Sequence, residues 1–172
     1  LLLIACAVFV SISCESAKDV LDVTIDPPKR KPIDTSRTGV NSFFVNPGFG
    51  SIVNQYSDIQ NNLRLRYVRV LFAWTDAVQP SPSVEPNFGL YDEIVASAPA
   101  GVRLLVVVSH SPSWLSNPAN WDNDNPRVTW VNRWLAKVVQ RYRGNGKIEG
   151  YEVFNEPDVV TLASDTVLGL TD

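Results

Sequence analysis

One segment, IEGYEVFNEPD starting at Ile148, constrains the fold more than any other part of this sequence. Its β-branched, aromatic and aliphatic residues are typical of a buried strand. Pro157 cannot donate to a strand ladder, and it favours an extended backbone at Glu156. We therefore predict a strand over residues 148–155 that delivers a carboxylate to its C-terminal end. Parallel α/β folds hold their functional groups at that end of their strands.

The sequence before this segment alternates between strand-like and helix-like patterns. Runs of Val, Leu and aromatic residues predict strands, and apolar residues spaced by three and four predict helices. The predicted strands are 40–45, 67–73, 102–109 and 148–155, and the predicted helices are 52–65, 90–98 and 128–142. Strand 102–109 is almost continuously apolar, which predicts burial on both faces.

This alternation indicates a parallel sheet built from βαβ units. The spacing between strand starts matches one βα unit of an eightfold barrel of about 250 residues. A doubly wound open sheet has the same alternation, but no Gly-x-Gly-x-x-Gly or phosphate-loop motif follows the first predicted strand. We therefore predict an α/β fold of about four βα units, the first half of a (β/α)8 TIM barrel, and expect the remaining units outside this sequence.

Composition narrows the class of protein. The chain has 172 residues, 45% of them hydrophobic, and a net charge of -3. These values fit an ordinary folded domain and argue against a nucleic-acid partner, because such partners select basic surfaces. The one basic triplet, residues 29–31, lies between prolines and is typical of a solvated linker.

The N-terminal residues predict export. The apolar run Leu1–Val10 is too short to span a bilayer as a helix but suits the core of a secretory signal. The Ser-Ile-Ser-Cys that ends at Cys14 resembles a bacterial lipoprotein processing site, which implies a lipid-anchored protein of the bacterial cell envelope. On this interpretation residues 1–13 are a signal peptide, 14–38 a tether and 39–172 the barrel. The alternative is a conventional signal with an incidental cysteine.

Three motifs resemble the clan of retaining glycoside hydrolases on (β/α)8 barrels, which includes cellulases, mannanases, xylanases, β-xylosidases and β-galactosidases. The stretch YVRVLFAW, which contains Arg69 and ends at Trp74, resembles the second strand of that clan. The stretch SHSPSW, from Ser109 to Trp114, resembles the end of the third strand. YEVFNEPD, from Tyr151 to Asp158, resembles the fourth. The similarity extends from about residue 39 to residue 158.

The resemblance implies roles for the residues around the fourth strand. Glu156 would be the general acid/base, because its side chain would protonate the departing oxygen while a second carboxylate acts from the opposite face of the sugar. Asn155 would hydrogen-bond the hydroxyl beside the anomeric carbon. Without these roles, Glu156 would cap the strand end and Asn155 would form a turn.

The resemblance also implies binding residues on the second and third strands. Arg69 would support the nucleophile, although a structural pair with Glu152 remains an alternative, since a buried guanidinium requires a partner. His110 would line the subsite near the cleaved bond, or it would be a hydrogen-bonded core residue. Trp74 and Trp114 would stack on sugar rings, or they would pack inside the loops.

The leading functional hypothesis is therefore an envelope-anchored glycosidase that acts on poly- or oligosaccharides by a retaining mechanism. Its nucleophile would be a glutamate ending a seventh strand, outside this sequence, and residues 1–172 would be inactive alone. The resemblance implies neither a cofactor nor a metal site. A non-catalytic carbohydrate-binding lipoprotein on the same barrel is the second hypothesis. A third is another barrel enzyme, such as a lyase or a metal-dependent hydrolase, although no His-x-His pair occurs on the first predicted strand.

Overall fold

The computed structural model describes residues 34–155 and 166–170. The predicted signal peptide, the lipidation residue Cys14 and the predicted acid/base Glu156 lie outside the described residues, as do most of the tether and the segment between residues 156 and 165.

Four parallel strands form a single sheet whose spatial order follows the chain, β1-β2-β3-β4. The strands are β1 (Gly39–Asn41), β2 (Tyr67–Ala73), β3 (Arg103–Ser109) and β4 (Ile148–Val153). Each pairs in parallel with the next, with a register irregularity between Leu104 and Leu105 where β3 meets β4. Successive parallel strands that are also neighbours are the arrangement of a (β/α)8 barrel. The predicted α/β fold with four βα units is confirmed.

Helices connect the strands. They are α1 (Ile52–Ser57), which passes into a π-helical turn at Asp58–Asn62, α2 (Gly89–Ser97), and a continuous helix of α3 (Pro126–Trp130), a π-helical turn (Val131–Leu135) and α4 (Ala136–Arg141). Asn125 caps α3, because its Oδ1 accepts from the amides of Arg127 and Val128 at 2.9 and 3.2 Å. No helix among residues 34–155 and 166–170 combines the length and the apolar character needed to cross a bilayer.

Alternate residues of the two central strands, β2 and β3, face the helices and form the core. The outer face of the sheet, the one toward the helices, is closely packed: Val68, Phe72, Leu104, Val106 and Val108 are all fully buried. The helices contribute large aromatic side chains to the same cluster, namely Tyr56, Tyr91, Trp130, Trp134 and Tyr142. Because side chains alternate across a strand, residues 67, 69, 71 and 73 face the other way. That inner face corresponds to the interior of a barrel.

Several boundaries differ from the predictions. β1 ends at Asn41, four residues earlier than predicted, and α1 ends before Leu63. β4 ends at Val153 instead of Asn155, since Phe154 adopts a left-handed backbone with φ of 63° that cannot continue the ladder. The predicted burial of β3 on both faces holds for Val107, which is 1% exposed, but not for Leu105, which is 38% exposed on the inner face.

Candidate active site

Polar side chains gather on the inner face near the C-terminal ends of the strands. Asn41 ends β1, His110 follows β3 and Asn155 follows β4 by two residues. Together with Arg69 of β2, these residues line one concavity of about 410 Å³. Parallel strands bring residues that are distant in the sequence to the same sheet edge, which is where such folds bind their ligands. The predicted binding residues Arg69, His110 and Asn155 are therefore brought together.

Arg69 and Glu152 form a bidentate ion pair across the inner face. The guanidinium donates from Nε to Oε2 of Glu152 at 2.8 Å and from Nη2 to Oε1 at 2.5 Å. The two side chains are 30% and 34% exposed, so the pair is partly shielded from water. This geometry matches a planar guanidinium to a planar carboxylate and fixes the position of both groups. The observed partner of Arg69 is therefore Glu152, the alternative that the sequence left open.

The same guanidinium orients Asn155. Nη2 of Arg69 also donates to Oδ1 of Asn155 at 2.8 Å, and Nη1 reaches Oδ1 of Asn41 at 3.4 Å. Arg69 has only donors, so it selects the carbonyl oxygen of each amide. The Nδ2 group of Asn155 is thereby left to donate elsewhere. Asn155 is exposed and directly precedes Glu156.

Glu152 is held ionised. The Arg69 hydrogen bonds lower the pKa of the Glu152 carboxyl below its ordinary value of 4.5, and this effect exceeds the opposing effect of burial. Both carboxylate oxygens accept from the guanidinium. A carboxylate engaged in this way is poorly placed to attack carbon or to deliver a proton. Glu152 is therefore the counter-ion that allows Arg69 to occupy the inner face.

His110 lies at a strained point of the chain. Its φ is 65°, in the left-handed region that costs a non-glycine residue about 1–2 kcal/mol. Its carbonyl accepts from Nε1 of Trp130 at 2.8 Å. The imidazole is half-buried, and its buried Nδ1 has no hydrogen-bond partner in the structure. An unused polar atom beside the concavity fits a group that a ligand or a bound water would satisfy.

Phe154 repeats this backbone conformation at the end of the neighbouring strand. Its φ is 63°, and its amide donates to the carbonyl of Val108 at 2.9 Å. Its ring stacks on the indole of Trp130 at a centroid distance of 4.8 Å. Phe154 and His110 thus share a left-handed backbone conformation and a common neighbour, Trp130.

The two tryptophans predicted to stack on sugars occupy other places. Trp74 is fully buried, lies parallel to Trp134 at 6.1 Å and donates from Nε1 to Gln79 at 2.8 Å. It presents no ring face to a ligand, which corrects the prediction in favour of the loop-packing alternative. Trp114 is half-buried, edge-on to Trp74, and its Nε1 donates to the Gln79 carbonyl at 2.8 Å. Trp114 does not line the concavity that holds Arg69.

The other carboxylates near the strand ends fix the loops. Asp76 accepts from the amide and the hydroxyl of Ser113 at 2.9 and 3.0 Å, which joins the loop after β2 to the loop after β3. Asp122 pairs with Arg133, whose hydrogen bonds lower the pKa of the aspartate below its ordinary value. Within the described ranges, no group of three or more His, Cys, Asp or Glu side chains could hold a metal ion.

Sequence reasoning missed Asn41. The predicted first strand ran through to residue 45, which hid Asn41 inside an apolar segment. The register pairs Asn41 with Arg69, so both lie on the same face of the sheet. The signal in the sequence was a polar residue within a mainly apolar predicted strand. Its place at the strand end, on the face of the partly buried Arg69, is seen only in the structure.

The strand order, the outer helices and the polar groups at the C-terminal strand ends define the class: an α/β barrel-type protein with its functional face at that edge. The family model described as Cellulase (glycosyl hydrolase family 5) matches residues 29–168. This match covers most of the chain, and the chain belongs to that family. It is a glycoside hydrolase whose substrate is a carbohydrate. A search of curated proteins and a search of solved structures each gave no significant match.

Proposed function

We propose that this protein hydrolyses glycosidic bonds of poly- or oligosaccharides by a retaining mechanism in which Glu156 is the general acid/base. The observation that carries the proposal is the hydrogen bond from Arg69 to Oδ1 of Asn155. It fixes Asn155, the residue before Glu156, near the C-terminal ends of the strands, where His110 also lies. Family membership supports the reaction class.

Asn155 would donate to a sugar hydroxyl. Because its carbonyl oxygen is engaged by Arg69, its Nδ2 group can donate to an oxygen of the substrate. A donor beside the anomeric carbon stabilises the transition state more than the ground state when the contact strengthens as charge develops there.

The nucleophile would be a carboxylate on a later strand of the barrel. Retaining hydrolysis requires a second carboxylate about 5–5.5 Å from the acid/base. Glu152 is a poor candidate, because Arg69 occupies both of its oxygens. Asp76 is committed to Ser113 in a loop. A glutamate ending a seventh strand, as the clan resemblance implies, fits the requirement.

The test compares Glu156→Ala with the wild type in a protein that includes the later strands of the barrel, using aryl β-glycosides. We expect kcat for poor leaving groups to fall about 100- to 10,000-fold, because proton donation is lost. Leaving groups that need no protonation should lose much less, and azide should restore turnover and give a glycosyl azide of retained configuration.

Glu149→Ala is the matched control, since Glu149 is an exposed glutamate at the opposite end of the same strand. It should keep wild-type kinetics. Unchanged turnover in Glu156→Ala would remove the acid/base assignment. Carbohydrate binding without turnover in the wild type would favour the non-catalytic alternative.

We also propose that Cys14 carries a lipid that anchors the protein in the cell envelope. The apolar run Leu1–Val10 followed by Ser-Ile-Ser-Cys supports this proposal. In a bacterial host, metabolic labelling with a fatty acid should mark the wild type but not Cys14→Ala. Label retained in that variant would exclude Cys14 as the acceptor.

A further inference from the structure

Trp130 contacts two residues that have a left-handed backbone: the carbonyl of His110 and the ring of Phe154. Its indole Nε1 donates to the His110 carbonyl at 2.8 Å, and its ring stacks on Phe154 with an interplanar angle of 29°. Trp130 itself is 3% exposed and lies at the end of α3. A helix residue of the core thus bridges the ends of β3 and β4.

The two bridged residues are equivalent in the fold. Each is the first residue after its strand, and each has a left-handed backbone, with φ of 65° at His110 and 63° at Phe154. Neither is a glycine, so the conformation persists only where the surroundings enforce it. A relaxed backbone would turn the His110 imidazole and the Asn155 amide away from their observed directions.

We propose that Trp130 is a positioning residue. It holds both strand ends in left-handed conformations and so aims His110 and Asn155 at the concavity that Arg69 lines. The hydrogen bond restrains the His110 carbonyl, and the stacked ring restrains Phe154, one residue before Asn155. This inference rests on the proposed function for its kinetic consequence, whereas its structural part can be tested without any activity.

Trp134 provides a matched control on the same continuous helix. It is fully buried, but its Nε1 has no hydrogen-bond partner in the structure. A change from tryptophan to phenylalanine removes one ring and one N–H at both positions. Only at Trp130 does it also remove a hydrogen bond to a site residue.

The experiment compares Trp130→Phe with Trp134→Phe by heteronuclear NMR, in the same protein with the later barrel strands, and the His110 signals are assigned from their absence in His110→Gln. We expect the backbone and imidazole signals of His110 to shift or broaden in Trp130→Phe and to stay near their wild-type positions in Trp134→Phe. Undisplaced signals in Trp130→Phe, or equal displacement in both variants, would overturn the proposal.

Kinetics extend the same comparison. A small misplacement of reacting groups lowers kcat strongly, so Trp130→Phe should lose about 10- to 100-fold in kcat with little change in KM. Trp134→Phe should keep wild-type kcat. Displaced His110 signals with wild-type kcat would leave the backbone restraint in place but overturn the aiming role. Failure of the Glu156→Ala test would affect the proposed function alone.

Phe154→Leu decides between the outcomes if Trp130→Phe does not fold. It removes the stacked ring but keeps the hydrogen bond from Trp130 to the His110 carbonyl. We expect the Asn155 signals to shift more than those of His110, together with a fall in kcat. Asn155 signals at their wild-type positions would contradict the restraint by stacking.

Discussion

The outer and inner faces of the same sheet have opposite characters. On the outer face of β2, Val68, Val70 and Phe72 are at most 2% exposed and pack under the helices. On the inner face of that strand, Arg69 pairs with Glu152 and Leu71 is 41% exposed. The outer face therefore supplies hydrophobic stabilisation, and the inner face supplies the polar groups of the site. Substitutions on the two faces should therefore separate stability from activity.

The largest expected effect is on the outer face. Phe72 is fully buried and stacks on Tyr91 at 4.3 Å. Phe72→Ala leaves a cavity and should lower the free energy of unfolding by about 3–5 kcal/mol, measured by chemical denaturation. Activity per folded molecule should stay near that of the wild type. A loss below about 1 kcal/mol would show that this face does not dominate stability.

The outer face was predictable because its pattern is local. Consecutive Val and Leu residues indicated β2 and β3, and β2 has the predicted bounds. The same rule applies to Trp74. Residues 68, 70 and 72 face the helices, so residue 74 shares their parity and belongs to the core. A position at the end of a strand does not by itself predict a ligand contact, because the direction of the side chain decides whether it meets a ligand.

The next prediction concerns the replacement of the ion pair on the inner face by apolar side chains like those of the outer face. Arg69→Leu leaves the half-buried Glu152 carboxylate without its bidentate partner and should cost about 1–3 kcal/mol of unfolding free energy. Arg69→Leu combined with Glu152→Leu should recover most of that loss, because two apolar side chains need no partner. Denaturation curves of the single and double variants measure both quantities.

Activity should not recover with stability in the double variant. Asn155 loses the donor that fixes its amide, so kcat/KM should remain low in both variants even where the double variant is as stable as the wild type. Recovery of kcat/KM in the double variant would show that the ion pair serves folding only.

The inner face was less predictable because its contacts are not local. Arg69 and Glu152 are 83 positions apart and lie on strands separated by β3. The sequence indicated that Arg69 needs a carboxylate but left open which one. The left-handed residues His110 and Phe154 carry no glycine or asparagine signal, since tertiary contacts with Trp130 impose their conformation. Only the folded structure shows that requirement.

A smaller effect concerns pH. Arg69 lowers the pKa of Glu152 from 4.5, so the pair stabilises the folded state fully above pH 4.5 and loses that contribution as the pH falls through the lower folded value. Glu152→Gln removes this titration, and its unfolding free energy should fall less steeply than that of the wild type below pH 4.5. Parallel curves in acid would mean that Glu152 has the same pKa in the folded and unfolded states.

The smallest effect is expected on the solvent side of the helix layer. Asp92 pairs with Arg141 at 2.5 Å, but the side chains are 40% and 46% exposed, so water and salt screen the attraction. Asp92→Asn should lower the free energy of unfolding by about 0.2–1 kcal/mol, and less in high salt. Glu93→Gln, an exposed neighbour on the same helix, is the control and should have no measurable effect. A cost at Asp92 as large as that at Arg69 would break the comparison, because an exposed pair outside the site would then matter as much as the shielded pair within it.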